Sequence, residues 1–191
     1  MLKILNNPKT ENYRILKKKI LDSEFPWYYQ HQSTIRYPRS AKGKYKSHPL
    51  YSHSILMRGD AIGCGLERYN TIESSIGEFT LQVVSDIILS NEDRFDDNGH
   101  KGFIIMRMNI NSSFPIDDDI QFTVPHFDHQ FPHKNFICYL TEGHGGGRTF
   151  IKGHPPVEPV EDQCILFEGE HYMELPCKGR RIIIVGTMIT Y

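Results

Sequence analysis

RRIIIVGTMI, residues 180–189, opens on a pair of cations and then runs almost wholly apolar, with three consecutive isoleucines. A run this short, rich in β-branched residues and preceded by the turn signal PCKG (176–179), reads as a core strand. Working upstream, QCILFEG (163–169), RTFI (148–151), NFICYL (135–140) and GFIIMRMNI (102–110) are runs of the same kind. EGHGGG (142–147) and KGHPP (152–156) punctuate them as turns. Five or more short strands with tight turns between residues 103 and 191 predict a β-sandwich or jelly roll.

Before residue 103 the texture is mixed. Tyr13, Leu16 and Ile20, joined by Ile15 and Leu21, form a helical stripe that Thr10 caps. Ile76, Phe79, Val83, Val84, Ile87 and Ile88 recur at spacings of three and four and predict a second helix. NEDRFDDNGHKG (91–102) then breaks the pattern as a polar loop. The fold class is therefore mainly β with N-terminal helices buttressing the sheet from outside. Residues 1–191 are expected to form one domain, with 1–102 as helical support and lid region and 103–191 as the strands.

Composition narrows the function classes. At 39% hydrophobic and 24% charged the chain is that of an ordinary globular protein. A formal net charge of −1 supplies no field for extended nucleic-acid binding, and no stretch reads as a membrane span. The start, MLKILNNPKTENY, lacks the apolar core of a secretory signal. Cys64, Cys138, Cys164 and Cys177 form no CxxC pair and suggest no disulfide framework. A reducing, cytoplasmic setting is the expectation.

Within PHFDHQFPHKNF (125–136) stand His126, Asp128, His129 and His133. Side chains two apart on a strand share a face, so His126 and Asp128 can bite one cation with Phe127 packed behind. His171, 43 residues after Asp128, can complete a facial triad of two imidazoles and a carboxylate. Such a set leaves three adjacent positions open and suits ferrous iron. Arg180 and Arg181 follow at the base of the core strand, where a buried cation calls for an anionic partner. A dicarboxylate co-substrate would supply it, gripped bidentately by one guanidinium, while the neighbouring arginine faces the other way. His129 and His133 are spaced i, i+4, but Pro132 disfavours a helix there, and they are expected to line the pocket mouth or face solvent.

The order H-x-D, YLTEGHGGGRTF (139–150), LFEGEH (166–171) and PCKGRR (176–181) resembles the Fe(II)/2-oxoglutarate-dependent dioxygenases, and more narrowly their prolyl-4-hydroxylase-like branch, including small microbial and phage-type members. The resemblance spans about residues 103 to 191, with FPWYY (25–29) a softer echo. It implies a double-stranded β-helix (a jelly roll), Fe(II), 2-oxoglutarate and O2 as requirements, and ascorbate as a further candidate cofactor. It implies His126, Asp128 and His171 as iron ligands. Arg181 would pair with the far carboxylate of 2-oxoglutarate, which Tyr139 would also hydrogen-bond. The implied reaction is hydroxylation of an unactivated C–H bond of a prolyl or other amino-acid or peptide side chain, or of a small molecule, with release of succinate and CO2. Asp128 favours hydroxylation over halogenation, because related halogenases lack that carboxylate. Two departures bear on substrate: Thr141 stands where the branch carries asparagine, and Arg148 where acidic turns are frequent.

Other segments have plainer readings. RYPRSAKGKYK (36–46) is a solvated loop or, within 36–53, a substrate lid; IDDD (116–119) is a solvated turn. Arg107 and Asn109 share one side of their strand, facing either the site or solvent. Two rival classes remain: a cupin-type metalloenzyme that does not use 2-oxoglutarate, and a catalytically silent jelly-roll binding module. Arg181 and Tyr139 argue against the first and the intact triad against the second.

Overall fold

The computed structural model of the protein describes residues 1–31, 45–57, 71–91, 102–116, 121–143 and 145–191. Arg181–Thr190 (β10) lies at the middle of the molecule. It pairs antiparallel with Phe103–Ser113 (β5) on one side and Lys134–Tyr139 (β6) on the other. Cys164–Phe167 (β8) continues the sheet beyond β6, and Leu2–Leu5 (β1) closes that edge. Beyond β5 come Leu50–Met57 (β3) and Tyr28–Gln30 (β2), with Thr71–Ile72 (β4) as a second partner of β3. The order is β1-β8-β6-β10-β5-β3-β2.

The two faces of this sheet are written in the alternation of its strands. Phe136 and Cys138, Cys164 and Leu166, and Ile182 and Ile184 point to one face. There they pack with Leu16 and Ile20 of helix α1 (Glu11–Leu21) and with Val83, Val84, Ile87 and Ile88 of helix α2 (Gly77–Leu89). Fully burying each such aliphatic side chain stabilises by about 1.5–3 kcal/mol. The buried stripe of α1 is narrower than expected: Tyr13, Leu16 and Ile20 are buried, while Ile15 and Leu21 stay exposed. Thr10 caps this helix through its hydroxyl, which accepts the Tyr13 N–H at 3.2 Å.

Ile137 and Tyr139, Ile165 and Phe167, and Ile183 point the other way into a smaller core. A second sheet covers that face. Its regular strands are Thr149–Ile151 (β7) and His171–Met173 (β9). Residues 121–126 run beside β9, where the backbones of His126 and His171 exchange hydrogen bonds of 2.9 and 3.0 Å. Two facing antiparallel sheets with helices on the outside make the jelly roll that the strand spacing predicts.

Residues 50–53 belong to β3, so that part of the expected lid is a strand of the large sheet. Residues 36–44 and 117–119, and the loop 92–101, lie outside the described residues. Among the described residues no helix is long and apolar enough to cross a membrane.

Candidate metal centre and anion pocket

The smaller sheet brings His126, Asp128 and His171 together, with one ligand atom from each lying within 4.8 Å of the others. The pairing of His126 with His171 does most of this: the two strands hold the imidazoles 4.6 Å apart, centroid to centroid. Both rings are turned by their own backbone. His126 Nδ1 sits 2.9 Å from the Val124 carbonyl and His171 Nδ1 3.2 Å from that of Gly169. A carbonyl only accepts, so Nδ1 carries the proton in each ring and Nε2 presents a lone pair. Asp128 Oδ2 lies 3.5 Å from His171 Nε2.

Electrostatics keep these groups in ligand form. Burial pushes the Asp128 carboxyl up, but Arg107, then His171 and His126, outweigh it and hold it well below the usual carboxylate range. Burial lowers His171 to about 4 despite the neighbouring Asp128 carboxylate, so the ring is neutral near pH 7. Two imidazoles and one carboxylate are the donor set of a first-row divalent ion in an open facial site.

A second feature lies deeper between the sheets. Arg181, only 1% exposed, is the largest of the fully buried side chains. Its Nη2 donates to Thr149 Oγ1 at 3.0 Å, its Nη1 lies 3.0 Å from Met173 Sδ, and its Nε has no partner. Among the described residues no carboxylate pairs with it, and burial lowers its pKa from the ordinary guanidinium value. Tyr139 stands alongside, its hydroxyl 2.7 Å from the same Thr149 Oγ1 and its ring 5.2 Å below the guanidinium. The glycine run makes room for this. Gly147 adopts φ 79°, and a Cβ there would come within 2.9 Å of Arg181 Cδ. A buried cation without a counter-ion is costly. A guanidinium can take an anion with planar, two-point geometry.

Several expectations need correction. His126 and Asp128 do not share one regular strand, because the chain leaves the sheet just after His126. Phe127 does not pack behind them and is 55% exposed. His129 neither lines a mouth nor faces solvent: it is buried, with Nε2 2.8 Å from Thr187 Oγ1 of β10. His133 is half-buried in contact with the His129 ring, and no helix joins them. Arg180, by contrast, faces away from Arg181 as expected of strand neighbours, donating from Nε to Ser112 Oγ at 2.8 Å with its guanidinium 4.8 Å over the Trp27 ring. Arg148 forms a two-point pair with Glu174, both contacts 2.7 Å, at the edge of the small sheet. Thr141 ties the turn to β10, accepting the Ile182 N–H at 2.9 Å.

Two residues of the site were not assigned to it by sequence. Arg107 faces inward on β5 and donates from Nη2 to Asp128 Oδ1 at 2.9 Å. Strand alternation placed it on one side, but nothing local said which side was inside. His48 is fully buried; burial first, then the charge of Arg181, lowers it to about 4, so a neutral ring stands beside the anion pocket. No motif flags it, since it meets Arg181 across more than half the chain.

No protein-family model matches the sequence, and no curated protein matches it. The fold, however, is shared with solved structures. An oxidoreductase of the 2OG-Fe(II) oxygenase family from Burkholderia pseudomallei superposes with a TM-score of 0.70 at 16% identity, covering 98% of this chain and 84% of that one. A prolyl hydroxylase from Trichoplax adhaerens, solved with a peptide fragment of the hypoxia-inducible-factor oxygen degradation domain, gives 0.53 at 15% identity, covering 100% and 83%. The non-heme α-ketoglutarate-dependent epimerase SnoN of nogalamycin biosynthesis gives 0.51 at 8%, covering 98% and 77%. At these identities the likeness is one of fold alone, the jelly roll.

Proposed function

We propose that this protein is an Fe(II)- and 2-oxoglutarate-dependent dioxygenase that hydroxylates an unactivated C–H bond. The observation that carries this reading is Arg181, a buried guanidinium with no carboxylate to neutralise it among the described residues, in contact with Met173 on the strand that carries His171. A metalloenzyme of cupin type needs the cluster but has no use for the buried cation. 2-Oxoglutarate accounts for both, since one end chelates a metal and the other is a carboxylate.

His126, His171 and Asp128 would hold the iron, each imidazole through its Nε2. Arg181 and Tyr139 bind the far carboxylate, and the Thr149 hydroxyl that both already contact fixes their orientation. When bound, the iron and its co-substrate supply dioxygen activation coupled to decarboxylation, yielding succinate, CO2 and a hydroxylated product. The apolar side chains Ile137, Ile165, Phe167 and Ile183 keep water from the inner core next to the pocket. The fold serves an epimerase in one neighbour, so it does not by itself fix the outcome. A complete triad with its carboxylate supports hydroxylation. An amino-acid or peptide side chain is the favoured substrate class, supported by the peptide bound to the Trichoplax enzyme.

The test is succinate formation from 2-oxoglutarate with Fe(II) in air, followed by a mass-spectrometric peptide and metabolite screen for gain of one oxygen. His126→Ala and Asp128→Ala should each abolish succinate formation. Equal turnover by these variants would reject the assignment.

A further inference from the structure

Asp128 has two oxygens with different partners. Oδ1 accepts from Arg107 Nη2 at 2.9 Å, while Oδ2 lies toward His171 Nε2 at 3.5 Å. The carboxylate is thus divided between a guanidinium and the candidate metal position. Arg107 reaches Asp128 from the large sheet. It sits on the inner face of β5 opposite Thr187 of β10, next to a β-bulge in which Met106 is the extra residue. Bulges of this kind re-aim a side chain beside a site. Thr187 in turn contacts the buried His129, 2.8 Å from Nε2. Two cross-strand neighbours, Arg107 and Thr187, therefore grip two consecutive residues of the ligand-bearing turn, Asp128 and His129. The turn has no regular strand to hold it, and these contacts replace one.

A free carboxylate beside a divalent cation can bind through one oxygen or through both. Binding through both would take one of the three positions that an open facial site must keep for a two-point chelator and dioxygen. We propose that Arg107 is a positioning residue that holds Asp128 as a one-oxygen ligand and so keeps a coordination position open. This rests on the iron site proposed above. The guanidinium acts by occupying Oδ1.

The experiment uses the whole protein loaded with Mn(II), which is stable in air, and water-proton relaxation as a count of metal-bound waters. Arg107→Met should bind Mn(II) and lose about a third of the inner-sphere relaxation, one water of three. Arg107→Gln is measured beside it, since either neutral variant suffices. Arg107→Lys, which keeps a cation within reach of Oδ1, should restore the wild-type value. Melting temperatures should agree among all four proteins to within a few degrees. Unchanged relaxation in the neutral variants with Mn(II) bound would overturn the inference. So would loss of Mn(II) binding in these variants, or failure of both to fold, because either makes Arg107 something other than a positioning residue. If wild type itself binds no Mn(II), or binds it equally well as His171→Ala, the metal site falls and this inference with it; the other outcomes leave the site standing.

Discussion

At the scale of single residues the adjacent arginines give the sharpest contrast. They are chemically identical and opposite in environment: Arg181 buried in the pocket, Arg180 exposed over Trp27. Truncating a buried, paired charge costs about 2–5 kcal/mol, so Arg181→Ala should weaken 2-oxoglutarate binding by roughly thirtyfold or more. Arg180→Ala should change that affinity by less than about threefold, because the contacts it removes, a hydrogen bond to Ser112 and an exposed cation–π contact of about 0.5–1 kcal/mol, lie away from Arg181. Calorimetric titration of both variants checks the pair, and reversal of the order would move the anion site to the other face. This much was legible in the sequence, because neighbours on a strand face opposite ways. His129 was legible only as a candidate and was misjudged. Its contact with Thr187 spans 58 positions, and no local spacing reports such a distance. Arg107 was legible in parity but not in direction, because inside and outside are properties of the assembled sheets.

At the scale of elements, helix α1 is fastened to the jelly roll at Asp162 and, through Lys17, at its neighbour Glu161. Asp162 accepts from the Tyr13 hydroxyl at 2.6 Å and from Lys17 Nζ at 2.5 Å, with Lys9 Nζ 3.1 Å away. Burial pushes its carboxyl up, but the hydrogen bonds from Lys17, Tyr13 and Lys9 prevail and hold it below the usual carboxylate range. A depressed carboxylate stabilises fully above its unfolded pKa and loses that contribution as the pH falls through its folded one. Asp162→Ala should therefore cost about 1–3 kcal/mol at neutral pH and much less near pH 2, read from denaturant melts at both. On the other helix, Ile87→Ala should cost about 2–5 kcal/mol, because the side chain is 1% exposed in a packed cluster. Both helices and the strands β5 to β8 and β10 followed from hydrophobic pattern, whereas β1 to β4, all before residue 103, were not read as strands. The small sheet followed less well: β7 and β9 span three residues each, and 121–126 joins by isolated bridges, so no window there holds a full repeat.

At the scale of the whole molecule, the two sheets of the jelly roll divide the labour. The large sheet supplies Arg181, Tyr139 and Arg107 from three neighbouring strands, while the small sheet and its trailing turn supply the triad. Fold and site are thus one arrangement, and ligands that bridge the sheets should stabilise both. Saturating Mn(II) with 2-oxoglutarate at about a hundred times its Kd should add about 2.7 kcal/mol and raise Tm by roughly 5–10 °C. The triad alone allows many metalloenzymes; the buried, unneutralised arginine is what supports the proposed chelating dicarboxylate. The most direct measurement is the visible spectrum of the Fe(II)-loaded protein as 2-oxoglutarate is added without oxygen. A weak charge-transfer band should grow in wild type to saturation at one equivalent of chelate, and Arg181→Ala should need far more 2-oxoglutarate to reach it. Bound iron with no band at any 2-oxoglutarate concentration would contradict the account.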